Sequence, residues 1–161
     1  MQNPGRFLAG IAALIRNASG EYLLLKRSGS RDFGADAWEC VTGRVNQGES
    51  FEEALHREVL EESGLSVRVT ALIGLSHFYR GDRVVENELQ GVVFACVPVG
   101  DATIRHSNEH SEYLWLAADD ARELLTATDP TTQWLRRTIE RAETFYSGGI
   151  DGLYSDGVML D

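Results

Sequence analysis

The chain reads as an α/β protein, a mixed β-sheet between helices, and three observations carry that reading. Residues 7–15, 67–79 and 84–97 are apolar stretches of strand character. Residues 51–63 and 130–146 repeat their apolar positions at helical spacing, each after its own start signal. Strands come first and helices follow around them, the order of a layered α/β domain. The 161 residues suit one domain with a sizeable core, expected over 1–146, with 147–161 as a C-terminal tail. Hydrophobic residues at 43% and charged residues at 25% are ordinary for a globular protein.

The first strand follows Arg6 as a nine-residue apolar run. It is too short to span a membrane, and no small-x-small cleavage site follows it cleanly, so it reads as a strand rather than a secretory leader. Asn17-Ala18-Ser19-Gly20 supplies turn residues into a second strand over 21–25, and the two are expected to pair as a hairpin. A loop over 28–37, rich in Gly, Ser and Asp, is long enough to be functional, and a short strand over 38–41 leaves it. A helix follows from residue 51, because Ser50 and Glu53 form a capping box and Gly64 supplies the stop. Phe51, Leu55 and Val59 are its apolar stripe.

The strands over 67–79 and 84–97, joined at Arg80-Gly81-Asp82-Arg83, make a hairpin. A strand over 113–116, a short helix over 118–125 and a helix over 130–146 with proline in its first turn complete the domain. Trp134, Leu135, Thr138, Ile139 and Ala142 in that last helix read as core. The tail has apolar residues enough to fold back on the domain or on a partner subunit, which leaves a homodimer open, as it does a loose end.

The chemistry concentrates in residues 43–65, GRVNQGESFEEALHREVLEESGL. Glu58, Glu61 and Glu62 stand at i, i+3 and i+4, on one arc beside the apolar stripe. A solvated acidic face would interleave bases at i+4, yet six glutamates (49, 52, 53, 58, 61 and 62) are accompanied by Arg57 and an uncharged His56. Partial burial would make those like charges costlier still. A hard cation such as Mg²⁺ resolves the conflict, since it takes oxygen ligands and keeps positions for substrate phosphates. Arg57 reads as an orienter whose fork grips a neighbouring carboxylate at two points, and Glu49 can meet it there. Gly43 and Gly48 bracket a permissive turn.

These residues resemble the Nudix hydrolase signature, G-x5-E-x7-R-E-U-x-E-E-x-G-U with U aliphatic. Gly43, Glu49, Arg57, Glu58, Val59, Glu61, Glu62, Gly64 and Leu65 fill each specified position. The resemblance, in a MutT-like family, implies a Nudix-type α/β/α sandwich with a mixed β-sheet between helices. It also implies a loop-helix-loop that binds Mg²⁺ or Mn²⁺ and cleaves a nucleoside diphosphate linked to another moiety. Glu58, Glu61 and Glu62 would carry the metal, the Thr42 carbonyl would join them, and Arg57 would orient Glu58. Many members have a second glycine where this chain has Arg44, which then contacts a phosphate or faces solvent.

Water would attack phosphorus with help from a carboxylate base, releasing a nucleoside monophosphate and pyrophosphate or a phosphorylated product. Glu58 is the base candidate inside the signature, and Glu109 or Glu112 are those outside it; Glu109 is preferred and is a further metal ligand, because EHSEYLWL resembles the family's loop-to-strand pattern. Trp38, Phe33, Tyr79 and Phe78 are candidates to stack on a base. Arg27, Arg31, Arg44, Arg80 and Arg83 are candidates to reach phosphates. By elimination, the expected substrate is a nucleoside triphosphate, intact or damaged. Nucleotide sugars, dinucleotides and a catalytically silent ligand sensor are the alternatives. An isomerase on the same fold would need a catalytic cysteine in a setting that WECVTG around Cys40 does not match.

A net charge of −10 argues against electrostatic binding of long nucleic acid, hence against mRNA decapping, and fits a small anionic partner bridged by metal. Cys40 and Cys96 lie in apolar strands without zinc spacing and read as buried free thiols in a reducing compartment. The expectation is therefore a cytoplasmic, membrane-free enzyme.

Overall fold

A computed structural model describes residues 5–29, 36–105 and 107–148. Among the described residues, seven strands and three helices run in the order β1 (Leu8–Ile15), β2 (Tyr22–Arg27), β3 (Trp38–Glu39), β4 (Val41–Arg44), α1 (Phe51–Ser63), β5 (Val67–Tyr79), β6 (Glu88–Pro98), β7 (His110–Leu116), α2 (Ala118–Leu124) and α3 (Pro130–Tyr146). They form two sheets. Strands β4-β1-β6-β5 make a mixed sheet in which β1 and β6 are parallel, and β3-β2-β7 make an antiparallel one.

Both faces of this β layer are buried, which is why its inner strands read as continuous apolar runs rather than alternating ones. Ala12 and Leu14 of β1, with Tyr22 and Leu24 of β2, pack on one side with Ala121, Leu135, Ile139 and Ala142 of α2 and α3. Ile11, Ala13 and Ile15, with Leu23 and Leu25, pack on the other side with Ala54, Leu55 and Val59 of α1. The result is an α/β/α sandwich with α1 on one face and α2 with α3 on the other.

Three expectations change. First, β1 and β2 do not form a hairpin. A single bridge between Arg16 and Tyr22 joins their ends, and each strand belongs to a different sheet. With both faces apolar, nothing in β1 favours a neighbour in sequence over β6, which it pairs along its whole length. Second, the short strand over 38–41 is two strands interrupted at Cys40, one in each sheet. Third, Phe51 is exposed, and the buried stripe of α1 is Ala54, Leu55 and Val59, continued by Glu62 and Ser63. The stripe thus leads two polar residues into the interior. The hairpin β5–β6, α2 and α3 stand where the sequence places them, although β6 begins at Glu88 after a 3₁₀ turn over Val85–Asn87. In α3, Leu135, Thr138, Ile139 and Ala142 are buried, with Trp134 partly buried against them.

No helix among the described residues is long and apolar enough to cross a membrane. Cys40 and Cys96 are free and buried; burial pushes both thiols up, Cys96 to about 12. Arg31 and Phe33, and the tail from residue 149 on, lie outside the described residues.

Candidate active site

Helix α1 begins and ends as its sequence dictates. The Ser50 hydroxyl accepts from the Glu53 amide, at 3.2 Å, and the Glu53 carboxylate accepts from the Ser50 amide, at 2.8 Å. Gly64 closes the helix at φ 73°, in the left-handed region, and a Cβ there would approach the Arg105 Cβ to 2.9 Å. Between these caps the helix lies against β4 so closely that a Cβ on Gly43 would fall inside the Glu58 side chain. Glycine at 43 is therefore what lets Glu58 reach the sheet.

Arg57 organises the outer side of the cluster. Its Nε and Nη2 donate to the two Glu49 oxygens at 2.7 and 2.9 Å, the two-point grip expected of a guanidinium. Its Nη1 donates to Glu58 Oε1 at 2.7 Å and lies 3.5 Å from Glu61 Oε2. Nη2 also donates to the Arg44 carbonyl at 2.9 Å. The fork thus closes on Glu49 and touches Glu58 once. The Arg57 guanidinium, with the Asn46 backbone amide second, holds the Glu49 carboxyl well below the usual range, at about 2.

The inner side of the cluster is short of positive charge. Glu62 is 8% exposed, and its Oε2 has no hydrogen-bond partner among the described residues. Burial first, then the charges of Glu39, Glu58 and Glu109, push its carboxyl up to about 9, and the Thr42 backbone amide offsets part of this. Glu62 thus feels both Glu58 and Glu109, although 51 residues separate those two in sequence. Glu61 is the outlying member, exposed beside Arg57. No three acidic, histidine or cysteine side chains among the described residues already converge as a closed metal cluster. The donor set still fits a hard divalent cation: oxygens in excess, one of them buried and unpartnered, and a glycine cradle that brings a carboxylate to the strand.

Behind Glu62 lies a buried ionic group that the sequence reading missed. Glu39 is 7% exposed and accepts from Arg27 Nη1 through both oxygens, at 2.9 and 3.3 Å. Its Oε1 also accepts from His110 Nε2 at 2.9 Å, and His110 is 3% exposed. The partners of Glu39, twelve and 71 residues away, were not legible.

The remaining candidates are scattered. Arg27, expected to reach a phosphate, gives a guanidinium nitrogen to Glu39. Arg44 is exposed, and its carbonyl serves Arg57. Glu112 pairs with Lys26 at 3.7 Å, on the face that carries Trp38 and away from Glu39. Tyr79, under the Arg83 guanidinium, sits at the end of β5, the sheet edge opposite β4, with β1 and β6 between. The structure therefore does not bring Tyr79 to the carboxylates. Phe78 is exposed on the same strand. Trp38 sits beneath Lys26 Nζ and lines a cleft of about 470 Å³ with Asp36, Leu124, Leu125, Pro130 and Thr131.

The NUDIX domain profile matches residues 6–141. Nucleoside triphosphatase NudI of Klebsiella pneumoniae (strain 342) is 32% identical over 122 residues, covering 70% of this chain and 83% of that protein. Octanoyltransferase of Myxococcus xanthus is 32% identical over 127 residues, 79% of this chain; the match spans 33% of that protein's length. Among solved structures, the MutT protein of Methanosarcina mazei Go1 superposes with a TM-score of 0.70 at 31% identity, covering 90% of this chain and 99% of that one. An Ap4A hydrolase of C. elegans superposes with a TM-score of 0.67 at 17% identity, covering 88% and 98%, a likeness of fold.

Proposed function

The chain belongs to the NUDIX family of hydrolases acting on nucleoside diphosphate derivatives, and from that premise we propose that it hydrolyses a nucleoside triphosphate to the monophosphate and pyrophosphate, with Mg²⁺ or Mn²⁺. The observation that carries the reading is the buried Oε2 of Glu62, which has no hydrogen-bond partner among the described residues and feels the charges of Glu39, Glu58 and Glu109. The triphosphate is favoured because the Klebsiella relative is named a nucleoside triphosphatase.

In this reading Glu58, Glu61 and Glu62, with the Thr42 carbonyl, hold the ion, and Arg57 keeps Glu58 and Glu49 in fixed rotamers. The bound ion supplies charge neutralisation on the phosphate oxygens and an acidified water. Glu109, whose charge already reaches Glu62, accepts the proton of the attacking water, and the pyrophosphate leaves opposite it. Arg44, exposed beside the loop, offers a charge for a phosphate, whereas Trp38 lies on the α2–α3 face and is set aside as a base platform. Residues 1–146 form the catalytic domain, and the enzyme works in the cytoplasm.

The test is pyrophosphate and monophosphate release across nucleoside triphosphates, nucleotide sugars and dinucleotides, with and without Mg²⁺. Pyrophosphate from triphosphates is expected. Turnover confined to sugars or dinucleotides would move the substrate, and silence across the panel would sink the reading.

A further inference from the structure

The charges of Glu39, Glu58 and Glu109 each reach Glu62, and Glu109 comes from a turn rather than a helix or strand. Its backbone is tied on two sides. Ser107 N donates to the Glu62 carbonyl at 3.1 Å, and Ser28 N donates to the Glu109 carbonyl at 2.8 Å. The residue after Glu109 is His110, whose imidazole is buried and whose Nε2 meets Glu39. A carboxylate can only accept, so the shared hydrogen sits on Nε2. Glu39 is in turn neutralised by Arg27.

A slip in strand register makes this contact. Lys26 lies opposite Glu112, but Arg27 lies opposite His110, leaving Ser111 as an extra residue in β7. In a regular strand His110 and Glu112 would share a face. The slip instead turns His110 to the face of Arg27 and Glu39, while Glu112 meets Lys26 on the other.

We infer that His110 is a positioning residue: its buried contact with the Arg27–Glu39 pair pins the 107–110 turn and so holds Glu109 on the side of Glu62. This rests on the role given above to Glu109. The glutamate is the acting group, and His110 acts through it.

The experiment is a double-mutant cycle of His110→Leu and His110→Gln, each with Glu109 intact and with Glu109→Gln. It is read by kcat and KM and, in the metal-free proteins, by amide hydrogen exchange over residues 107–110. With Glu109 intact, His110→Leu is expected to lower kcat roughly 10- to 100-fold, the usual cost of removing a group that orients an acting side chain, with KM little changed. His110→Gln, which retains a donor at the position of Nε2, recovers most of that loss. In the Glu109→Gln background His110→Leu costs nothing further, and exchange at 107–110 quickens in His110→Leu whatever stands at 109. Equal losses in both backgrounds, or unchanged exchange, overturn the positioning role while leaving Glu109 in place. Full activity of Glu109→Gln alone removes the base assignment, and the proposal with it.

Discussion

Glu62 is the residue on which the site turns. In the metal-free protein its carboxyl is raised from an ordinary 4.5 to about 9, so between those values the folded state holds a proton that the unfolded state has released. Stability of the metal-free protein therefore falls as pH rises through that window, and a cation that replaces the proton restores it. Thermal unfolding across pH 5–9 is expected to show Mg²⁺ stabilising more at the alkaline end, with Glu62→Gln flattening both trends. Glu49 has the opposite sign: lowered from 4.5 to about 2 by Arg57, it contributes stability present above 4.5 and lost as pH falls toward 2. Arg57→Lys keeps the charge but loses the two-point grip on Glu49. Its expected mark is a lower kcat, with unfolding shifted mainly on the acid side; a kcat equal to wild type would show that rotamer control is not needed.

At the scale of elements, α1 was legible almost to the residue, because its caps and its periodicity are local. Ser50→Ala removes the hydroxyl end of the capping box, a change of ~1 kcal/mol that lowers Tm by about 2–4 °C in a domain of this size. Gly64→Ala is expected to cost more, since it puts a side chain in the left-handed region at about 1–2 kcal/mol and presses on Arg105. Gly43→Ala should leave the fold and damage the site: a methyl there displaces Glu58, so activity falls while far-UV circular dichroism is unchanged. What was not legible was pairing. The turn at Asn17–Gly20 looked like a hairpin, yet it hands the chain from one sheet to the other. Strands apolar on both faces carry no mark of which neighbour they take, and the slip at Ser111 leaves no trace in composition.

For the molecule as a whole, the sandwich places α1 on one face and α2 with α3 on the other, and the acidic cluster forms where α1 meets β4 and the turn before β7. Spacing alone singles out the carboxylates of α1 as candidates, and the resemblance of its segment singles out Glu109. Glu39 and His110 were missed because a buried ionic group is defined by partners distant in sequence. The acid excess of 43–65 thus adjoins a deeper acid, Glu39, paired with Arg27 and hydrogen-bonded to His110, while Glu62 Oε2 stands without a hydrogen-bond partner among the described residues. The most direct test of that division is divalent-ion binding by calorimetry together with turnover of the best nucleotide substrate, in wild type, Glu58→Gln and Glu62→Gln. Binding and turnover should both require the two glutamates, with kcat falling roughly a hundredfold or more when either is lost, since the ion contributes several kcal/mol to the transition state. Wild-type turnover in either variant, or hydrolysis undiminished by chelation, would contradict the account.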